Sequence, residues 1–157
     1  EIGHMIIQPN GILCGCGGRG CWERYGSATA LIQLTQLEME RSRDSKLWEL
    51  CDNDPSKVQG RTPFQAARLG DEAAKRVLAN YLQGLSIGMI NLVNTLQPEI
   101  ICLGGGVSNA EDDLLLNPLR ELVWRGCFDK ENHVRIEKAS LGNDAGVVGA
   151  ALLCNLV

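Results

Sequence analysis

No segment of this chain approaches the roughly 20 consecutive apolar residues that a membrane-spanning helix needs, which argues against insertion in a bilayer. There is no basic excess either. Fifteen Lys and Arg stand against 19 Asp and Glu, and the net charge of −4 argues against broad nucleic-acid binding by this segment. Internal repeats and low-complexity tracts are absent. No signal peptide is visible, but the chain reads as starting inside a longer protein, so that absence carries little weight.

What is present is sufficient for a folded unit. The 157 residues can bury a real core, and 45% hydrophobic with 22% charged residues is a globular composition. There are seven cysteines, an odd number. Cys51, Cys102, Cys127 and Cys154 are scattered through apolar surroundings and are expected to be reduced core residues, which fits a cytoplasmic location.

The other three cysteines are clustered. The run Cys14-Gly-Cys16-Gly-Gly-Arg-Gly-Cys21 follows His4 by ten positions. Three thiols within eight residues, separated by glycines, can converge on one point. Thiolate and imidazole ligands around a tetrahedral point favour Zn²⁺. The alternative is three buried or disulfide-bonded cysteines in a glycine-rich turn.

Along the chain, residues 5–8 form a short apolar strand candidate stopped by Pro9-Asn10-Gly11. Residues 27–43 read as a helix with Leu31, Leu34 and Leu37 on one side, and a short helix is expected around 47–51. Thr62-Pro63 starts a brief helix that ends at Gly70. Asp71 caps the longest element, in which Ala74, Val77, Leu78, Tyr81, Leu82, Leu85, Met89, Leu92, Val93 and Leu96 recur at spacings of three and four. Pro98 ends it. Residues 100–103 read as a buried strand of the parallel type, followed at once by Gly104-Gly105-Gly106. Asn117-Pro118 opens a helix reaching about Phe128, and residues 134–139 alternate as a strand. Asn143 or Asp144 caps a final helix, apolar on most sides and expected to be buried. The order is that of an α/β fold.

The histidine, the pattern C-x-C-G-x-x-G-C-x-E over Cys14 to Glu23, and Ser27 together resemble the ROK family of bacterial sugar kinases and sugar-responsive repressors. Cys21-Trp22-Glu23-Arg24-Tyr25 resembles its glucokinases in particular. The resemblance implies the C-terminal lobe of a two-lobe actin/hexokinase/Hsp70-like (ribonuclease H-like) ATPase fold with a zinc knuckle. Residues 1–27 would be the sugar and zinc segment, and residues 98–110 would carry the nucleotide-side glycine loop. It implies a structural Zn²⁺ on His4, Cys14, Cys16 and Cys21, sugar contacts from Glu1, His4 and Glu23, and an adenosine-side loop at Gly104, Gly105 and Gly106. Without it, Glu1 and Glu23 read as solvated carboxylates, and the triple glycine as a tight strand-to-helix turn. Trp22 and Tyr25 read as an aromatic wall beside a sugar or as core packing. Arg19 and Arg24 receive no role.

The activity implied is ATP- and Mg²⁺-dependent phosphorylation of glucose or a related hexose at the 6-hydroxyl, by a cytoplasmic homodimer. The family's Asp-x-Gly-x-Thr phosphate loop and the Asn-Asp pair holding its catalytic base are expected upstream, so this segment alone is expected to be inactive. Two alternatives are the sugar-sensing part of a ROK repressor and a free-standing zinc-stabilised interaction module.

Overall fold

The computed structural model describes residues 1–131, 133–141 and 144–153. The chain runs through α1 (Glu23–Gly26), α2 (Ala28–Arg41), α3 (Lys46–Glu49), α4 (Thr62–Arg68), α5 (Glu72–Leu96), β1 (Ile100–Leu103), α6 (Leu116–Gly126), β2 (Arg135–Lys138) and α7 (Ala145–Leu153). Single 3-10 turns lie at Ile2–His4, Pro55–Lys57 and Gly106–Asn109.

Helix α5 is the spine. Its apolar stripe buries Ala74, Val77, Leu78, Tyr81, Leu82, Leu85 and Met89, and α1, α2, α4 and α6 pack around it. The stripe emerges in the last turn, where Leu96 is exposed. The helix ends because Gln97 turns left-handed (φ 46°, ψ 51°) and returns its N–H to Val93 O, ahead of Pro98. Its start is fixed by Asp71. One carboxylate oxygen accepts the Ala74 N–H at 2.7 Å. The other accepts the Ser45 hydroxyl at 3.0 Å and the Lys46 N–H at 2.8 Å. One buried side chain therefore caps α5 and ties the first turn of α3 to it.

Helix α2 is capped by Ser27, whose Oγ accepts the Ala30 N–H. It buries Ala30, Leu31, Thr35 and Met39. Leu34 is half-buried and Leu37 is exposed, so the leucine stripe expected here is only partly inward. Strands β1 and β2 pair in parallel, from Ile100↔Arg135 to Leu103↔Lys138.

Several expectations are corrected. Residues 5–8 are not a strand; only Ile6 bridges Cys21, because the Pro9-Asn10-Gly11 turn follows at once and Asn10 adopts a positive φ. Strand β1 is not fully buried. Side chains alternate along it, so Ile101 and Leu103 pack on the core while Ile100 and Cys102 point outward. Cys102 is therefore exposed, unlike the buried Cys51 and Cys127. Helix α7 is not buried. Val147 is 74% exposed, and Leu152 and Leu153 are exposed too, because no described element covers them. The expected core position of Cys154 and the cap at Asn143 lie outside the described residues.

The segment before α2 docks on α5 through a close approach. Trp22 lies over Gly88, where a Cβ would fall 2.0 Å from Cε2 of the indole, and its Nε1 donates to Gly84 O at 3.2 Å. Trp22 packs against α5 at Gly88, and the Cβ and backbone of Tyr25 lie against Gly84.

Two expected outcomes follow from these contacts. Helix propensity alone makes Gly88→Ala stabilising by about 1 kcal/mol. The overlap with Trp22 should reverse that sign and cost about 1–3 kcal/mol, readable by denaturant unfolding. Burial pushes the Asp71 carboxyl up, but the Ala74 and Lys46 N–H groups and the Ser45 hydroxyl outweigh it and hold it below the usual value. A carboxyl held low contributes stability above its unfolded pKa and loses it as pH falls through the folded value. Asp71→Ala should cost about 1–3 kcal/mol at neutral pH. The gap to wild type should shrink below about pH 4.

Candidate functional site

The cysteine loop is built by short-range backbone bonds. Cys14 N–H donates to Gly18 O at 2.8 Å and Gly17 N–H to Cys14 O at 3.0 Å, while Leu13 bridges Arg19. Ile7 and Trp22 then bond back to Gly20 and Met5, joining this hairpin to the first residues of the chain. Gly20 is required twice over: its φ is +78°, and a Cβ there would lie 1.8 Å from Gln8 O.

This arrangement gathers His4, Cys14, Cys16 and Cys21, whose ligand atoms all lie within 4.8 Å of one another. His4 Nδ1 is 3.6 Å from Cys14 Sγ, and Cys16 Sγ is 3.6 Å from Cys21 Sγ. Ligands about 2.0–2.3 Å from a tetrahedral zinc stand about 3.5–3.8 Å apart, so the donor set and its spacing fit that ion. The thiols are free, and 3.6 Å is far from the roughly 2.05 Å of a disulfide. The Cys16 thiol is lowered by the Gly18 N–H and by Cys14. The Cys16 backbone N–H draws the Cys14 thiol down, but Glu23 and burial outweigh it and push it up to about 12. Burial raises Cys21. Metal binding to this set must therefore displace thiol protons.

Glu1, His4 and Glu23 are brought together. Glu1 Oε2 lies 3.5 Å from His4 Nε2, and Glu23 Oε1 lies 3.8 Å from His4 Nδ1. Glu23 also accepts the Cys14 thiol at 2.8 Å. The imidazole thus stands between two carboxylates, with Nδ1 toward the sulfurs and Nε2 toward Glu1. The Glu1 side chain is 93% exposed and Glu23 is 42% exposed, so both can meet a ligand from solvent. Arg24 donates to Gln33 Oε1 and Arg19 to Gly11 O.

Gly104, Gly105 and Gly106 leave the end of β1 as an exposed turn. Gly105 has φ +79°, and its carbonyl accepts both the N–H and the hydroxyl of Ser108. The loop borders two cavities. One, about 220 Å³, separates it from Gly26, Ser27 and Ala28. The other, about 610 Å³, lies between Gly106 and Val107 and the face of α4 bearing Phe64, Gln65 and Arg68. Asn109, Glu111 and Leu114 also line the larger cavity. Sequence reasoning did not single out Phe64, Gln65, Arg68, Glu111 or Leu114, because they come from two segments far apart in the chain and carry no motif. Asn-Asp dipeptides do occur in the chain, at 53–54 and 143–144. Asp54 is engaged in an exposed turn by the Ser56 N–H and hydroxyl, and Asn143 lies outside the described residues. Among the described residues no helix is long and apolar enough to cross a membrane.

The geometry can be set beside known proteins. The chain is 35% identical to a glucokinase of Streptomyces coelicolor, covering 96% of this chain and 49% of that protein. It is 31% identical to the xylose repressor of Bacillus spizizenii, over 95% of this chain and 35% of that one. A ROK family glucokinase from Streptomyces griseus, solved in complex with glucose and AMPPNP, superposes with a TM-score of 0.88 at 34% identity. That match covers 98% of this chain and 50% of the solved one. The chain thus spans about half the length of the glucokinases it matches, and its α/β fold is that of ROK sugar kinases. The sequence pattern of the family matches residues 1–156, and the chain belongs to the ROK family.

Proposed function

We propose that this chain is the C-terminal lobe of an ATP-dependent sugar kinase that phosphorylates glucose, or a related hexose, at its 6-hydroxyl. The observation that carries the reading is the convergence of Glu1, His4 and Glu23 beside the four-ligand cluster. Carboxylates accept charge-assisted hydrogen bonds from neighbouring hydroxyls, the chemistry by which a hexose is held. The His4 ring turns Nδ1 to the sulfurs and leaves Nε2 for a hydroxyl. The similarity to a glucokinase solved with glucose and AMPPNP supports the same pair of ligands here. The glycine loop and the larger cavity beside it would take the nucleoside end of ATP. The catalytic base and the groups that hold Mg²⁺ and the reacting phosphates belong to the other lobe in this reading, so the chain alone is inactive. A cytoplasmic homodimer is the form proposed for the intact enzyme.

His4, Cys14, Cys16 and Cys21 would hold a structural Zn²⁺. When bound, the ion cross-links the 3-10 turn to the cysteine hairpin. The residues themselves set the direction of Glu23, which lies two positions after Cys21 and opens α1. The second reading, a sugar-sensing repressor, is supported by the similarity to the xylose repressor. Sugar-dependent ATP turnover by the full-length protein supports the kinase. Its absence, together with sequence-specific DNA binding released by sugar, would establish the repressor.

Elemental analysis of the full-length protein should find one zinc per chain, and Cys16→Ser should lose it along with most sugar phosphorylation. A metal-free Cys16→Ser protein with normal activity would refute the structural role.

Glu23→Gln should weaken sugar binding by about tenfold to a hundredfold, because a charge-assisted acceptor is replaced by an amide with a single acceptor oxygen. Nucleotide affinity should barely change. Separate titrations of sugar and nucleotide decide between a sugar ligand and a surface carboxylate.

A further inference from the structure

The wall of the larger cavity is held by ionic contacts from two sides. Residues 111–113 are three consecutive acids, Glu111, Asp112 and Asp113, in the turn that leads into α6. Arg68, the last residue of α4, places one guanidinium nitrogen against carboxylate oxygens of both Glu111 and Asp113. From β2, Lys138 Nζ lies 2.7 Å from Asp112 Oδ1 and donates to Ala110 O at 2.7 Å. Lys138 ends β2 in register with Leu103, the residue immediately before the glycine loop. The turn is also tied to α6, since Leu114 and Leu115 N–H donate to Glu111 O and Asn117 N–H to Asp112 O. The two clamps therefore connect α4, the acidic turn and the end of β2, which pairs with the strand that launches the glycine loop. Arg68 of α4 and Gly106, Ala110, Glu111 and Leu114 from the segment that carries the acidic turn line the cavity.

We propose that the acidic turn is a strap whose position sets the fit of the larger cavity for a nucleoside, and that Arg68, Asp113 and Lys138 are positioning residues for nucleotide binding. The inference rests on the nucleotide reading of that cavity. Three adjacent carboxylates repel one another, and without their cations the turn would relax outward. Exposed ion pairs add little to global stability, so this geometry has its effect on the cavity wall and not on the fold. Asp113 and Lys138 are not among the cavity's lining residues, whereas Arg68 and Glu111 are. Variants of the first two thus separate positioning from direct contact.

The test is calorimetric titration of the full-length protein with adenosine, ADP and the sugar, comparing wild type with Asp113→Asn, Lys138→Met and Lys138→Arg. Adenosine carries no charge, so a general loss of positive potential does not weaken it. Asp113→Asn and Lys138→Met should each raise the dissociation constants of adenosine and ADP by about two- to fivefold, with sugar affinity and melting temperature unchanged. Lys138→Arg should restore binding. Unchanged adenosine and ADP affinity in folded Asp113→Asn and Lys138→Met proteins would overturn the strap and leave the nucleotide site standing. Loss of sugar affinity in parallel would also overturn it, by showing a general structural role. A wild-type protein that binds neither adenosine nor ADP would overturn the nucleotide reading itself, and the strap with it.

Discussion

The position of one indole ring governs the candidate sugar site. Trp22 sits between Cys21, a member of the four-ligand cluster, and Glu23, the carboxylate beside it. Its ring can lie against α5 only because position 88 lacks a side chain, its Nε1 bonds to the Gly84 carbonyl, and Tyr25 takes the space beside Gly84. Seating the ring therefore fixes a thiol on one side and a carboxylate on the other. Neighbouring bonds lock the same docking: Tyr81 donates its hydroxyl to Gly26 O, and the Tyr25 hydroxyl accepts the Ile12 N–H. Two glycines inside a 25-residue helix would be a liability for an isolated helix. Here the loss of helix propensity is offset by a close aromatic contact that a Cβ would forbid.

This docking also brings the two halves of the candidate site to a shared boundary. Gly26, Ser27 and Ala28, at the junction of α1 and α2, line the smaller cavity together with Gly104, Gly105 and Gly106 and with Tyr81 of α5. The segment that carries Glu23 and the loop that leaves β1 are thus referred to the same helix. A displacement of α5 would move both.

Much of this was legible from sequence because it is local. The four candidate ligands fall within residues 4–21, and glycine spacing with thiol and imidazole chemistry was enough to group them. Ser27, Pro63, Asp71 and Pro98 mark helix boundaries by effects that act over one turn, and the elements formed where those residues placed them. The family resemblance, carried by the same short motif, led to the fold and to the glycine loop.

What only the tertiary structure decided depends on partners far along the chain. Trp22 meets Gly84 across 62 positions and Arg68 meets Glu111 across 43, and neither pairing has a periodic or compositional signature. The outward side of Cys102, the exposed apolar surface of α7 and the emergence of Leu96 likewise escaped the sequence. Apolar character states that a side chain gains by leaving water, but burial requires a second surface to cover it. Which faces are covered is set by the packing of whole elements, and no local pattern encodes it.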